Sequence, residues 1–227
     1  MGETRAVLFD LDGTLIDTTN LILRCFDHSW QSVCGRGHAR EALIETFGTP
    51  LRAAMISLVC ASDDLGTSDE DASEPDLIER LLTEYRSFNV ANHDILARPF
   101  DGVEQVVRVL RGRGYLIGVV TSKGRELASR GLALCSLDGL IDAAVFLEDT
   151  EKHKPEPDPI LAALEKLETR ASSAAYVGDS HNDIIAGRAA GVSTVAALWG
   201  PAPRAVLESA GPDHLADSVY SLLDIFG

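Results

Sequence analysis

Asp10 and Asp12 stand two residues apart, followed by Gly13 and Thr14, at the point where the apolar run Ala6 to Phe9 ends. Alternate side chains of an extended chain project to one side, so two carboxylates share one small volume. That crowding is costly unless a cation is shared or a proton is held between them. Gly13 permits a tight turn and a close approach of backbone to a ligand. An ordinary strand-to-loop turn also uses Asp and Gly, so this segment alone leaves both readings open. A second acidic group, Gly178-Asp179-Ser180-His181-Asn182-Asp183, follows the apolar run Ala174 to Val177. Asp179 or Ser180 would also serve as a helix cap there. Together the two groups suit a hard cation such as Mg²⁺, which takes oxygen ligands and leaves positions for water and a substrate phosphate.

Two more segments supply groups of the opposite character. Val119-Val120 runs into Thr121-Ser122-Lys123, a hydroxyl pair at the head of an expected helix, where free N–H groups make a seat for an anion. Lys154 lies in Glu151-Lys152-His153-Lys154-Pro155-Glu156-Pro157, where the two prolines stiffen the loop around it. Taken alone, Lys154 reads as a solvated surface cation.

The elements that must position these groups follow from the hydrophobic pattern. Short apolar runs at 6–9, 116–120, 143–147, 174–177 and 194–198 read as strands buried on both faces. Between them, Val103, Val106, Val107 and Leu110, and then Ile160, Leu161, Leu164 and Leu167, repeat at helical spacing. Alternating strands and helices predict an α/β fold with a parallel sheet covered on both faces. The interval from Asp17 to Arg98 breaks the alternation. It shows two apolar helix faces, Leu21 to Val33 and Leu77 to Phe88, and no convincing strand. A helical insert over 17–98 is therefore expected, within a core made of 1–16 and 99–227. The acidic stretch 62–74 in that insert lacks EF-hand spacing and reads as a solvated loop.

Composition excludes several functions. The chain has 227 residues, 45% of them hydrophobic, and a formal net charge of −15, a field that repels nucleic acid and anionic lipid. No apolar stretch approaches the length of a membrane span, and the start lacks the pattern of a signal peptide. The four cysteines, Cys25, Cys34, Cys60 and Cys135, form no C-x-x-C pair and read as reduced thiols. A cytoplasmic protein, monomeric or dimeric, with a small-molecule substrate and neither nucleic-acid nor membrane partners is expected. Any phosphate site would need local cations.

In order along the chain, Asp10 to Thr14 (D-x-D-G-T), Thr121, Lys154 and Gly178 to Asp183 (G-D-x-x-x-D) resemble the four motifs of the haloacid dehalogenase superfamily of phosphohydrolases. Each motif is short, but the ordered set spans most of the chain. The resemblance implies a Rossmann-like core with an inserted α-helical cap of type 1. It implies Asp10 as the nucleophile of an aspartyl-phosphate mechanism, Asp12 as general acid and base, and Thr121, Ser122, Lys123 and Lys154 around the phosphoryl group. Mg²⁺ would be held by Asp10, the backbone carbonyl of Asp12 and Asp179, with support from Asp183. Asp12 argues against dehalogenation, because dehalogenases of the superfamily lack that acid. Transporting ATPases need a membrane domain. A phosphomutase, which uses the same two acids, and a non-catalytic binding protein are the remaining alternatives.

Within the superfamily, Phe47-Gly48-Thr49-Pro50-Leu51-Arg52 resembles the specificity loop of phosphoglycolate-phosphatase-like members, implying Gly48, Thr49 and Arg52 at the substrate. Tyr85 to Asn89 with His93-Asp94, and Lys154 to Leu167, resemble a bacterial pyrophosphatase of the same subfamily. Phosphoglycolate is thus the first expected substrate and pyrophosphate the alternative.

Overall fold

A computed structural model describes residues 5–61 and 74–227. The acidic stretch, apart from Glu74, lies outside them. The core opens with β1 (Ala6–Phe9), then β2 (Ile16–Asp17). Four helices follow: α1 (Thr19–Cys34), α2 (Arg40–Ile44), α3 (Leu51–Cys60) and α4 (Glu74–Leu96). The chain returns through β3 (Arg98–Pro99), α5 (Val103–Gly112), β4 (Leu116–Val120), α6 (Arg125–Leu134), β5 (Ala143–Val145) and α7 (Asp158–Lys166). It ends with β6 (Ala174–Gly178), α8 (His181–Ala190), β7 (Ser193–Ala197), α9 (Arg204–Ser209), β8 (His214–Ala216) and α10 (Leu222–Ile225).

Among the described residues, six strands form one parallel sheet in the order β5-β4-β1-β6-β7-β8. β1 lies inside it, between β4 and β6, and its residues Ala6 to Phe9 are buried almost completely. Alternation along β1 divides the packing. Val7 and Phe9 join one apolar layer with Val103, Val106 and Val107 of α5, while Ala6 and Leu8 join another with Ile160 and Leu164 of α7. Because β1, β4 and β6 run the same way side by side, the residues after them emerge together at one edge. Ligands of open α/β sheets bind at that edge, where the strand order reverses.

The helices α1 to α4 pack mainly on one another, α1 against α4 most extensively. Leu21, Phe26, Trp30, Leu77, Leu81 and Tyr85 supply their buried face. The chain enters and leaves this bundle through β2 and β3, a short antiparallel ribbon pairing Ile16 with Pro99 and Asp17 with Arg98. The ribbon, the helices α2 and α3 and the strand β8 are additions to the pattern expected from the sequence. The strand expected over 143–147 stops at Val145, since Leu147 begins a 3₁₀ turn. Cys25, Cys34 and Cys135 are buried, and burial pushes the thiols of Cys25 and Cys135 up to about 12.

Candidate active site

Four strand ends build the site. Asp10 and Asp12 follow β1, Thr121 follows β4, Lys154 follows β5 after a loop, and Asp179 and Asp183 follow β6. The backbone N–H of Asp10 donates to the Val177 carbonyl at 2.9 Å, so the sheet ladder itself fixes where the Asp10 side chain begins. Gly13 has φ +83, and a Cβ built on it would lie 2.2 Å from Asp179 Oδ2. Only glycine lets the turn after β1 close over Asp179 in this way. Thr14 Oγ1 donates to Asp179 Oδ1 at 2.9 Å, and the Trp199 indole N–H donates to the Thr14 carbonyl at 2.9 Å, which holds the turn from behind.

The side chains of Asp10, Lys154, Asp179 and Asp183 are all nearly inaccessible to solvent. Lys154 Nζ lies 2.9 Å from Asp10 Oδ1 and 2.6 Å from Asp183 Oδ1. The Tyr176 hydroxyl accepts from Lys154 Nζ at 3.0 Å and lies 3.1 Å from both Asp183 Oδ1 and the Val120 carbonyl. The second oxygen of Asp183 accepts from the Ser180 N–H at 2.9 Å and the Ser180 hydroxyl at 2.6 Å. Ser180 also caps α8 by accepting from the Asp183 N–H, so the segment forms the expected cap while the Asp183 side chain faces Lys154.

Burial dominates the electrostatics. It pushes the Asp10 carboxyl up to about 7, against the pull of Lys154 and with further repulsion from Asp183. Asp179 is driven well above the ordinary carboxylate range by burial, then by Asp183 and Asp10. Burial alone would lower Lys154, but Asp10 and Asp183 together raise it well above the usual lysine value. Three carboxyl groups thus face one ammonium, too few positive charges to let all three ionise in a dry site. Ligand oxygens of Asp10, Asp179 and Asp183 lie within 4.8 Å of one another. With both Asp183 oxygens already hydrogen-bonded, Asp10 and Asp179 keep the open oxygens. Gly13 and Gly200 both press on Asp179, a Cβ on Gly200 falling 2.3 Å from its Cβ, so the carboxylate is held in place before any ligand arrives. Buried, pre-placed and oxygen-only, with more carboxyl groups than one lysine can balance, these residues fit a hard divalent cation.

Asp12 is placed differently. Its Oδ1 accepts from Lys123 Nζ at 2.7 Å and from Thr18 Oγ1 at 2.8 Å, and its side chain is only partly buried. This carboxylate faces a cavity of about 440 Å³ whose walls include Asp10, Thr121, Ser122, Lys123 and Lys154 from the core. The helical bundle supplies the roof, with Phe47, Gly48, Thr49, Leu51, Tyr85, Arg86 and Asn89. Gly48 (φ +77) comes so close to the core that a Cβ on it would lie 2.5 Å from Ser180 Oγ. Ser122 Oγ donates to the Gly48 carbonyl at 3.4 Å, and Asn182 Nδ2 donates to Thr49 Oγ1 at 3.3 Å.

The structure therefore brings together Asp10, Asp12, Gly48, Thr49, Thr121, Ser122, Lys123, Lys154, Asp179 and Asp183. It leaves Arg52 out: that side chain is exposed, pairs with Glu79 and does not line the cavity. Arg86 is the arginine at the cavity. Tyr176, Arg86 and Asn89 are given no role by the sequence analysis. Tyr176 is the one polar side chain in an otherwise apolar strand run. Arg86 and Asn89, three apart on α4, share a helix face, but their direction depends on how α4 is seated.

A model of the haloacid dehalogenase-like hydrolases matches residues 7–197. The chain belongs to that family, and the site is that of a phosphohydrolase, in which an acidic cluster of this kind is compatible with a divalent metal. The chain is 41% identical over 220 residues, 97% of its length, to a provisionally named pyrophosphatase PpaX of Caldanaerobacter subterraneus subsp. tengcongensis, covering 93% of that protein. It is 37% identical over 219 residues to pyrophosphatase PpaX of Bacillus cereus, covering 96% of this chain and 94% of the other. In fold it is similar to the crystal structure of a predicted phosphoglycolate phosphatase from Haemophilus somnus, with a TM-score of 0.89, 21% identity and full coverage of both chains.

A thermal-shift experiment reads the carboxylate cluster directly. Asp10 and Asp179 have raised values in the folded chain, so they favour folding fully below the unfolded value of 3.8, and that contribution is lost as pH rises, for Asp10 through about 7. A divalent cation competes with these protons. The rise in Tm on adding cation to chelator-treated protein is expected to be larger at about pH 8 than at about pH 5.5. Equal rises at both values would remove the cluster as the binding place.

Proposed function

We propose that the protein is a Mg²⁺-dependent phosphohydrolase acting through an aspartyl-phosphate, with inorganic pyrophosphate as its preferred substrate and phosphoglycolate second. The buried Asp10–Lys154 pair at the floor of the cavity carries the phosphohydrolase reading. The two pyrophosphatases, similar over nearly the whole chain, support pyrophosphate as the first substrate.

Asp10 Oδ attacks phosphorus, the bond to the bridging oxygen breaks, and Asp12 hands a proton to that oxygen as it leaves. Water then attacks the phosphoryl group on Asp10 while Asp12 takes up the water's proton, which restores both side chains. Lys123 Nζ, 2.7 Å from Asp12 Oδ1, fixes where this carboxyl sits in the cavity. Lys154, Thr121 and the backbone around Ser122 meet the oxygens of the transferring group, and a bound Mg²⁺ supplies further charge neutralisation there. The inserted helices over 17–98 act as a cap on the core of 1–16 and 99–227. With Gly48 seated against Ser180, that cap excludes water from phosphorus.

Arg86 is the cationic group in the roof that meets the second anion of such a substrate. Arg86→Ala is expected to raise KM for pyrophosphate and phosphoglycolate about 10-fold, the scale of one charge-assisted hydrogen bond. KM for p-nitrophenyl phosphate, which has no second anion, should barely move, and Arg52→Ala should leave all three unchanged. A panel with Mg²⁺ and a hexose phosphate tests the function itself. If the hexose phosphate has the highest kcat/KM, the small-dianion reading fails; if none is hydrolysed, the phosphohydrolase reading fails with it.

A further inference from the structure

The hydroxyl of Tyr176 stands in an apolar layer. Tyr176 is buried in β6, and Leu8, Val120, Val145 and Ile160 share its layer of the core. A hydroxyl there is costly unless it is paired, and a phenylalanine would fill the space without that demand. Here the oxygen is fully used. It accepts from Lys154 Nζ at 3.0 Å, and its one proton lies within reach of the Val120 carbonyl and Asp183 Oδ1, both at 3.1 Å. An ammonium has three N–H donors, and Lys154 has one partner for each in Tyr176, Asp183 and Asp10. Charge does not require the first of these, since Asp10 and Asp183 already outnumber the lysine. The neutral hydroxyl adds direction. With Tyr176 and Asp183 holding two of the N–H groups, the third is aimed at Asp10 Oδ1, 2.9 Å away. Asp183 is itself fixed by Ser180, and Tyr176 reaches the last carbonyl of β4, next to Thr121.

We propose that Tyr176 is a positioning residue for phosphoryl transfer: its hydroxyl aims Lys154 at the phosphoryl group and ties that lysine to the strand end that carries Thr121. This rests on the phosphohydrolase reading above and deepens it. The need is greatest on the phosphorylated enzyme. Once Asp10 carries the phosphoryl group it no longer offers Lys154 a free carboxylate, and Asp183 and Tyr176 remain to hold Nζ in place. A misdirected ammonium loses much of its worth to a transition state whose charge appears at fixed points. Lys154 meets the transferring group, which every substrate shares, so Tyr176 acts on kcat and not on the choice of substrate.

The test is a double-mutant cycle on the Mg²⁺-loaded enzyme, combining Lys154→Ala with Tyr176→Phe, which removes one oxygen and keeps the ring. Tyr176→Phe is expected to lower kcat about 10-fold for pyrophosphate, phosphoglycolate and p-nitrophenyl phosphate alike, the scale of one hydrogen bond, with KM rising less than twofold. In the Lys154→Ala background the same change should lower kcat less than twofold. A packing role alone would lower Tm and leave kcat, read well below Tm, unmoved; that outcome overturns the proposal. So does a loss as large without Lys154 as with it, or a rise in KM with kcat unchanged. If Tyr176→Phe fails to fold, Tyr176→Met, which also lacks a hydroxyl, decides by the same cycle. Wild-type turnover is read separately. If wild type hydrolyses none of the three substrates, the phosphohydrolase reading fails and the proposal with it. If wild type is active and Tyr176→Phe leaves kcat unmoved, the proposal alone fails.

Discussion

Asp10→Asn is expected to reduce turnover of every substrate by about 10⁴-fold or more, the scale seen when a covalent nucleophile is removed. The substitution keeps the shape of the side chain and removes its charge. It should not cost the fold, because Lys154 keeps its 2.6 Å partner Asp183 and its contact with Tyr176, and one buried carboxylate fewer relieves repulsion on Asp179. An equal or higher Tm together with lost activity is therefore the expected signature. Rapid-quench kinetics should lose any phosphoryl-enzyme burst. A folded variant that keeps more than a few per cent of activity would end the covalent mechanism.

Lys154→Ala should act on rate and stability together. As a donor to the phosphoryl oxygens it is expected to cost at least about 100-fold in kcat. Its removal also leaves Asp10 and Asp183 facing each other in a dry site, which is expected to cost about 3 kcal/mol of stability. Lys152, two residues away and exposed, is the control, and Lys152→Ala should change neither quantity. The stability loss should shrink when the divalent cation is present, since the cation then opposes the same carboxylates. Equal, small effects at 152 and 154 would return Lys154 to the surface-cation reading.

The parts legible in the sequence are those where a short stretch of chain decides its own placement. The apolar runs into Asp10 and Asp179 mark strand ends directly, because a doubly buried strand cannot carry a carboxylate until it leaves the sheet. Arg52 shows where local reading stops. Leu51 and Ala54, three apart on α3, line the cavity, and Arg52, about 100° round the helix from Leu51, points to solvent and Glu79. Nothing in the six residues Phe47 to Arg52 reveals that rotation; it is set by how α3 packs on α4. α2 and α3 themselves are short, and α3 is mostly apolar, so neither shows a clear helical period. β8, three residues with His214 at its start, has no apolar run to announce it and owes its strand form to pairing with β7. Tyr176 was hidden for the opposite reason. It fits an apolar strand by size, and its hydroxyl matters only because Lys154 arrives from a loop 22 residues earlier.

The way Gly48 and Thr49 are fastened makes one side of the roof easy to lift. Their two hydrogen bonds to the core, at 3.4 and 3.3 Å, sit at the long end of useful geometry, and each contributes at most about 1 kcal/mol net. Undoing that clasp costs little beside a chemical barrier of many kcal/mol. Those two bonds alone therefore set no large barrier to opening on that side, while Arg130 of α6 holds α4 on the other through Asp94 and the Val90 carbonyl. A bulkier residue at 48 would wedge the roof off Ser180 and admit bulk water, so the price of a freely opening roof is that this one position tolerates no side chain.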